Sequence, residues 1–223
     1  MAEKKAQKKP SLSLAPGQSV ETGDGITLAF ATPILRLSLP GAEFLNKGLR
    51  RQILELAGKS AGRTISNAGG YQTDGNLFAL PAPELKILSQ AIEVAYRSLC
   101  RSLAPEQPEL EKHTFNLTGW ANINRSGDFN RIHSHGGVHW SGVYYVDDGG
   151  SGSNGPDDGQ LELLDPRHLS AVTPTPGFPL SNRVMVQPEP GLLVLFPGWL
   201  EHWVTPYKGK AERISIAFNL VVV

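Results

Sequence analysis

Short strand-like segments separated by turns fill the second half of the chain, and no other feature restricts its fold more. In Phe115–Asn124, "FNLTGWANIN", polar residues alternate with mainly apolar ones, which is the pattern of a strand with one buried face. Similar segments follow at residues 139–147, 160–164, 183–187, 192–196, 202–205 and 213–223. So many short strands in succession favour a jelly-roll barrel.

Two segments in the first half have the apolar periodicity of helices instead. In Ala42–Ala57 the apolar residues fall on one helical face, and Pro83–Leu103 begins with a proline that suits a first turn. We therefore predict a mainly β protein, a cupin-like jelly roll with flanking N-terminal α-helices. Residues 25–223 would form one domain, helix-rich over 25–112 and jelly-roll over 113–223.

Composition limits the partners and the compartment. Residues 1–24 contain four lysines but no apolar run of the kind a signal peptide needs, which predicts a flexible tail. No 18-residue apolar stretch occurs, and the formal net charge is zero, so we expect neither a membrane nor a nucleic-acid partner. Cys100 is the single cysteine, which fits a reducing compartment and predicts a cytoplasmic protein.

Histidines cluster at the beginning of one strand-like segment. His133 and His135 are two residues apart in "HSHGGVHW", and His202 follows a Pro-Gly turn in "FPGWLEHW". Imidazoles at alternate positions of an extended chain point the same way. Three imidazoles leave open positions on a metal, as in non-haem Fe(II) sites. His139 stays open as the alternative second ligand.

The last strand places a cation among apolar neighbours. Arg213 and Ser215 share one face of "ERISIAF", while Ile214, Ile216 and Phe218 share the other. A buried arginine needs an anionic partner, and a small bound carboxylate would serve. The alternative is a structural ion pair with one of three acidic residues, Asp165, Glu201 or Glu212.

These residues together resemble the iron- and 2-oxoglutarate-dependent oxygenases. "SNAGGYQTDGNLF", "HSHGGVHWSGVYYV", "FPGWLEHWV" and "ERISIAFN" are similar to a narrower family of putative 2-oxoglutarate/Fe(II) oxygenases, over roughly residues 32–219. The resemblance implies a double-stranded β-helix, Fe(II), and 2-oxoglutarate as co-substrate. It implies His133, His135 and His202 as metal ligands, although most of the wider superfamily has a carboxylate where His135 stands.

The resemblance also implies an activity and further site residues. The protein would be a dioxygenase that uses O2 to hydroxylate a small-molecule or peptide substrate, forming succinate and CO2, with no catalytic residue beyond the metal centre. Candidates for the 2-oxoglutarate site are Arg213, Ser215, Tyr145 and Asn122. Weaker candidates for contact with the substrate are Asn124, His139, Trp140 and Gln72.

Two other interpretations of the same residues remain open. The spacing of Gly127, the histidines and Gly191 also resembles a cupin, which could be a thiol dioxygenase, an isomerase or a metal-binding module that does not use 2-oxoglutarate. A non-catalytic jelly roll with a structural zinc is a third interpretation, although it needs a fourth ligand. The apolar C-terminal "NLVVV" is either a core strand or an edge that pairs two chains, so a homodimer is also open.

Overall fold

The computed structural model describes residues 20–21, 27–28, 30–167, 176 and 182–223. Of the predicted tail, only Val20 and Glu21 are among them. Two α-helices lie in these residues, α1 (Ala42–Ala57) and α2 (Pro83–Leu103). The strands there are β1 (Val20–Glu21), β2 (Thr27–Leu28), β3 (Leu35–Ser38), β4 (Asn67–Ala68), β5 (Tyr71–Gln72), β6 (Phe115–Asn124), β7 (Phe129–His133), β8 (Trp140–Asp147), β9 (Leu161–Leu164), β10 (Arg183–Val186), β11 (Leu192–Pro197), β12 (His202–Val204) and β13 (Arg213–Val222).

Both predicted helices are confirmed with the predicted bounds. Helix α1 follows Gly41, whose φ of 67° is in the left-handed region that glycine adopts without strain. Helix α2 has Pro83 in its first turn, where the missing N–H costs nothing. The buried residues of α2 recur every three or four positions, so one stripe of the helix faces the core.

The strands form two main antiparallel sheets, which confirms the mainly β fold. One sheet has six strands in the order β3-β11-β8-β13-β6-β5, and the other has five in the order β10-β9-β12-β7-β4. Strand β13 pairs with β6 on one side and β8 on the other. It is therefore a central strand, and the suggestion that the C-terminal segment is an edge is wrong.

The six-stranded sheet has one apolar face and one polar face. Ile214, Ile216 and Phe218 are fully buried in the cluster that includes the stripes of both helices. Their alternate neighbours Arg213 and Ser215 point the other way, toward the five-stranded sheet, and line a cavity there. The helices thus cover the outside of this sheet, and the polar face is left for a site between the sheets.

Two features of the chain differ from the prediction. Strand β7 was not predicted, because its short stretch, "FNRIH", does not alternate clearly. The glycine-rich segment at residues 60–76 was predicted as a loop, but it contains β4 and β5, which add to opposite sheets. This segment therefore ties the two sheets together beside the histidines. Neither described helix is long and apolar enough to cross a membrane.

Candidate functional site

The three predicted histidines converge between the ends of β7 and β12. His133 is the last residue of β7, and His202, the first of β12, is its antiparallel partner. His135 lies two residues further on, in the loop. One ligand atom from each ring lies within 4.8 Å of the others, and no other His, Cys, Asp or Glu of the described chain joins this group. The missing fourth ligand argues against the structural zinc interpretation.

Hydrogen bonds orient two of the three rings. The Nδ1 of His133 lies 2.7 Å from the carbonyl oxygen of Arg131, and the Nδ1 of His202 lies 2.8 Å from that of Leu200. A carbonyl oxygen can only accept, so each Nδ1 carries the proton. The lone pair of each ring is therefore on Nε2, which is the form that binds a metal.

Burial keeps two of the rings neutral. Desolvation, together with the neighbouring His133, lowers the pKa of His135 to about 4. The pKa of His202 is lowered to about 3, mainly by burial and against the effect of its hydrogen bond to Leu200. The edge of Phe196 packs against the His202 ring, with centroids 4.8 Å apart. Both rings are thus deprotonated near neutral pH, as metal ligands must be.

A close contact between two turns sets the position of His135. Its backbone N–H donates to the carbonyl of Gly198 at 2.8 Å, and the N–H of Gly198 donates to the carbonyl of His139 at 3.0 Å. A Cβ at residue 198 would come within 2.5 Å of the Val138 carbonyl oxygen. Only glycine permits this approach, so the Pro-Gly turn before His202 also holds the His135 loop in place.

Arg213 lies at the buried end of the pocket that the histidines enter. The pocket encloses about 50 Å³ and is lined by residues of both sheets. Arg213 is 1% exposed, and its guanidinium donates to the Gly159 carbonyl at 2.9 Å and to Asn124 Oδ1 at 3.2 Å. It also stacks on the ring of Tyr145. Within the described chain it has no carboxylate in an ion pair, so the predicted alternative partners Asp165, Glu201 and Glu212 are wrong.

A buried aspartate supports Arg213 from behind, and the sequence analysis did not identify it. Asp158 is fully buried, and its carboxylate accepts from the backbone N–H groups of Gly152, Asn154 and Lys208. This closes the turn that presents the Gly159 carbonyl to Arg213. The signal in the sequence, an aspartate among glycines, is common in exposed turns and does not reveal burial.

A row of polar side chains crosses the sheet beside Arg213. Ser215 is directly opposite Asn122 on β6 and opposite Tyr145 on β8, next to a register shift in the β8–β13 pairing. All three residues are buried and line the inner pocket. The hydroxyl of Tyr145 and Oδ1 of Asn122 have no hydrogen-bond partner among the described residues. Such groups are costly unless a ligand or water completes them.

The remaining candidates divide between the site and its surroundings. Gln72 is buried beside a larger outer cavity that also adjoins His133 and His135. Asn124 faces Arg213 and lines neither cavity. His139 is exposed, accepts a hydrogen bond from the N–H of Val222, and lies outside the histidine group. Trp140 packs partly against the apolar core.

Several residues around the histidines were not predicted. Ser66 and Asn130 line the inner pocket, and Trp120 lines both cavities, with its ring centroid 5.7 Å from that of His135. Ser66 lies just before β4 and Asn130 lies in β7, two segments that come together only in the folded protein. Trp120 shares the polar face of β6 with Asn122, a signal that the alternating pattern did contain.

Comparisons with known proteins agree with this geometry. A family model described as "Putative 2OG-Fe(II) oxygenase" matches residues 118–219. No curated protein shows significant sequence similarity to the chain.

Similar folds occur among solved structures. A prolyl-4-hydroxylase from Pseudomonas putida has 17% identity and a TM-score of 0.59, with 86% of this chain and 93% of that chain covered. A prolyl hydroxylase from Trichoplax adhaerens, in complex with a hypoxia-inducible-factor peptide fragment, has 15% identity and a TM-score of 0.59, covering 84% and 83%. HygX from Streptomyces hygroscopicus, with nickel and 2-oxoglutarate bound, has 16% identity and a TM-score of 0.51, covering 85% and 82%. At these identities the likeness concerns the fold, a double-stranded β-helix.

Proposed function

Because residues 118–219 match the model of the 2OG-Fe(II) oxygenase family, we propose that His133, His135 and His202 hold Fe(II) and that Arg213 anchors 2-oxoglutarate. The enzyme is a 2-oxoglutarate-dependent Fe(II) dioxygenase. The proposed reaction is hydroxylation of a small-molecule or peptide substrate with formation of succinate and CO2. One observation carries the residue assignment: a buried guanidinium without a carboxylate partner ends the same pocket that three converging imidazoles enter.

The imidazoles suit Fe(II) in type and in protonation. His133 and His202 present Nε2 because their Nδ1 atoms donate to backbone carbonyls. The pKa of His135, lowered to about 4 by burial, keeps that ring neutral as well. Three protein ligands leave the open positions that this chemistry requires. When bound, the iron supplies the activation of O2 that couples decarboxylation of 2-oxoglutarate to oxidation of a substrate C–H bond.

The far end of the pocket suits a carboxylate. The guanidinium of Arg213 is buried with only neutral hydrogen-bond partners, so an anion would compensate its desolvation. Ser215 and the Tyr145 hydroxyl lie on the same face and can donate to the second carboxylate oxygen. The chain thus binds one end of a short dicarboxylate and directs the other end toward the histidines.

The rest of the pocket keeps water away. Leu161, Phe196 and Val143 line the space between the histidines and Arg213, and a water-poor site strengthens the interaction of Arg213 with an anion. These residues position the co-substrate and take no part in proton transfer. As in the sequence analysis, the proposal includes no nucleic-acid or membrane partner, and it retains the cytoplasm as the compartment.

The test combines iron content with 2-oxoglutarate turnover. We expect the parent protein, reconstituted anaerobically with Fe(II), to bind iron and, once O2 is admitted, to convert 2-oxoglutarate to succinate and CO2. His202→Ala should lose iron, and succinate formation should fall by more than about a hundredfold, because a buried ligand is removed. The matched control is His139→Ala, a histidine of the same loop outside the group, which should retain both.

Two results would overturn the assignment. Undiminished iron in His202→Ala would remove that residue from the metal site. Loss of iron in His139→Ala, with iron binding unaffected in His135→Asp, would show that His139 and not His135 is the second metal ligand. A parent protein that binds iron yet never turns over 2-oxoglutarate would favour the cupin interpretation.

A further inference from the structure

The outer cavity beside the histidines has a chemistry of its own. It encloses about 400 Å³, against about 50 Å³ for the inner pocket, and lies within the range of about 300–1,000 Å³ typical of ligand pockets. The two cavities share Ser66, Trp120, His133 and His135. A molecule in the outer cavity would therefore reach the metal position from the side opposite Arg213.

Two arginines line this outer cavity, and no acidic residue does. Arg63 and Arg131 are both exposed, and neither forms an ion pair with any described residue. The side-chain contact found is a long one, from Arg131 Nη1 to the Asn67 carbonyl at 3.4 Å. Guanidinium groups without a carboxylate partner among the described residues, at the wall of a cavity, bind oxyanions well, since their donors match a carboxylate or a phosphate.

The backbones that carry these arginines are held firmly. The N–H of Arg63 donates to the Gln72 carbonyl at 2.9 Å, and the N–H of Arg131 donates to the Ser66 carbonyl at 2.8 Å. The carbonyl of Arg131 in turn orients the ring of His133. The backbones of the two cations thus have fixed positions relative to the metal ligands, so a ligand has only the side chains to order.

Apolar and amide groups complete the cavity wall. Ile65 and Ile132 are 61% and 57% exposed, which is unusual for two large side chains beside one cavity, and the Trp120 ring lies near them. Gln72 is only 2% exposed, and no residue in the described part of the chain forms a hydrogen bond with its Oε1. Exposed apolar surface and an unpaired buried amide both indicate a surface that a ligand covers.

We propose that the outer cavity selects substrates that combine an oxyanion, a carboxylate or a phosphate, with an apolar body. Arg63 and Arg131 bind the oxyanion, while Ile65, Ile132 and Trp120 contact the apolar part and direct it toward the histidines. The inference that the cavity is a substrate site rests on the proposed function. Binding to the cavity is independent of iron and can be measured separately.

The experiment is a ligand-observed NMR titration of the metal-free full chain with four probes. These are 3-phenylpropionate, its neutral amide, phenyl phosphate, and acetate, which lacks the apolar body. We expect 3-phenylpropionate or phenyl phosphate to bind, the tighter of the two identifying the preferred oxyanion. The amide and acetate should each bind at least about fivefold more weakly, as expected for loss of a charged or an apolar contact.

Variants locate the binding. Arg63→Gln combined with Arg131→Gln should weaken the acid probe by about tenfold, since two exposed charge contacts are lost. The double lysine replacement should retain most of the affinity. Arg51→Gln, which removes one exposed charge from α1, should leave it unchanged. Melting temperatures check that each variant is folded, and the single glutamine variants replace the double one if it is not.

Several outcomes would overturn the inference. Binding of the neutral amide as tight as that of the acid would contradict it, and so would an unchanged affinity in the double glutamine variant. Loss of acid binding in Arg213→Leu would show that the probe occupies the inner pocket instead. If the titration succeeds but the parent never consumes 2-oxoglutarate with iron, the anion site stands and the proposed function fails.

Discussion

Arginines line both the inner pocket and the outer cavity, but those of the outer cavity are exposed and that of the inner pocket is buried. Arg213 is 1% exposed and has neutral protein groups on two sides. Arg63 and Arg131 are instead exposed, have hydrogen-bonded backbones, and form no ion pair with a described residue. A buried cation attracts an anion strongly because little water screens it, and an exposed one attracts it weakly. Under the two proposals, the comparison separates a tight site for the co-substrate from a weaker site that discriminates among substrates.

The largest effect should follow from Arg213→Leu, which removes the buried charge and keeps the apolar stem. We expect the affinity for 2-oxoglutarate to fall by about 2–4 kcal/mol, as for other buried charge pairs, with iron binding retained. Calorimetric titration of the zinc-loaded protein measures the first quantity and metal analysis the second. An unchanged affinity for 2-oxoglutarate together with a lower melting temperature would give Arg213 a structural role. The inner pocket would then not differ from the outer cavity as an anion site.

The pH dependence of folding should be the next largest effect. Burial lowers the pKa of His202 to about 3 and that of His135 to about 4, whereas an unfolded histidine titrates near about 6.5. Below about pH 6.5 the unfolded chain binds more protons, so the metal-free protein should lose stability as the pH falls toward about 4. His202 alone should account for a loss on the order of 2 kcal/mol at about pH 5.

Urea unfolding across this pH range measures that loss. His202→Gln should show a shallower pH dependence than the parent, because one buried neutral imidazole is removed. The matched control is His139→Gln, at an exposed position, which should follow the parent curve. A parent curve that stays flat from neutral pH to about pH 4.5 would contradict the buried, neutral state of these rings.

A smaller effect should follow from Asp158→Asn behind Arg213. The change keeps the shape but loses the charge that accepts from Gly152, Asn154 and Lys208. We expect the free energy of unfolding to fall by about 1–2 kcal/mol. The affinity for 2-oxoglutarate should fall by less than in Arg213→Leu. The neighbouring exposed Asp157 provides the control, since Asp157→Asn should change neither. Equal behaviour of the two variants would show that the turn does not support Arg213.

The smallest effects should come from the outer cavity. Arg63→Gln and Arg131→Gln should each change the free energy of unfolding by less than about 0.5 kcal/mol, because the side chains are exposed. Neither should change the affinity for 2-oxoglutarate by more than that amount. Denaturant titration and calorimetry check the two quantities. If either variant weakened the binding of 2-oxoglutarate as much as Arg213→Leu does, the inner pocket and the outer cavity would not be separate sites.

The sequence by itself determined the elements with strong local periodicity. Both helices have the predicted bounds, and most predicted strands end within about one residue of the observed ones, since apolar spacing depends only on neighbours in the chain. It also identified the three histidines that converge, and the opposite faces of Arg213 and Ile214, because side chains alternate along any strand. The iron and 2-oxoglutarate chemistry followed from the motifs.

Only the tertiary structure decided which distant groups meet and which are buried. The choice of His135 over His139 depends on the Gly198 turn, which draws one into the group and leaves the other at the surface. The burial of Asp158 and the placement of Arg63 and Arg131 at one cavity depend on contacts between segments far apart in the chain. Local patterns carry no information about such approaches, because the hydrogen bonds that fix them join residues with no regular spacing in the sequence.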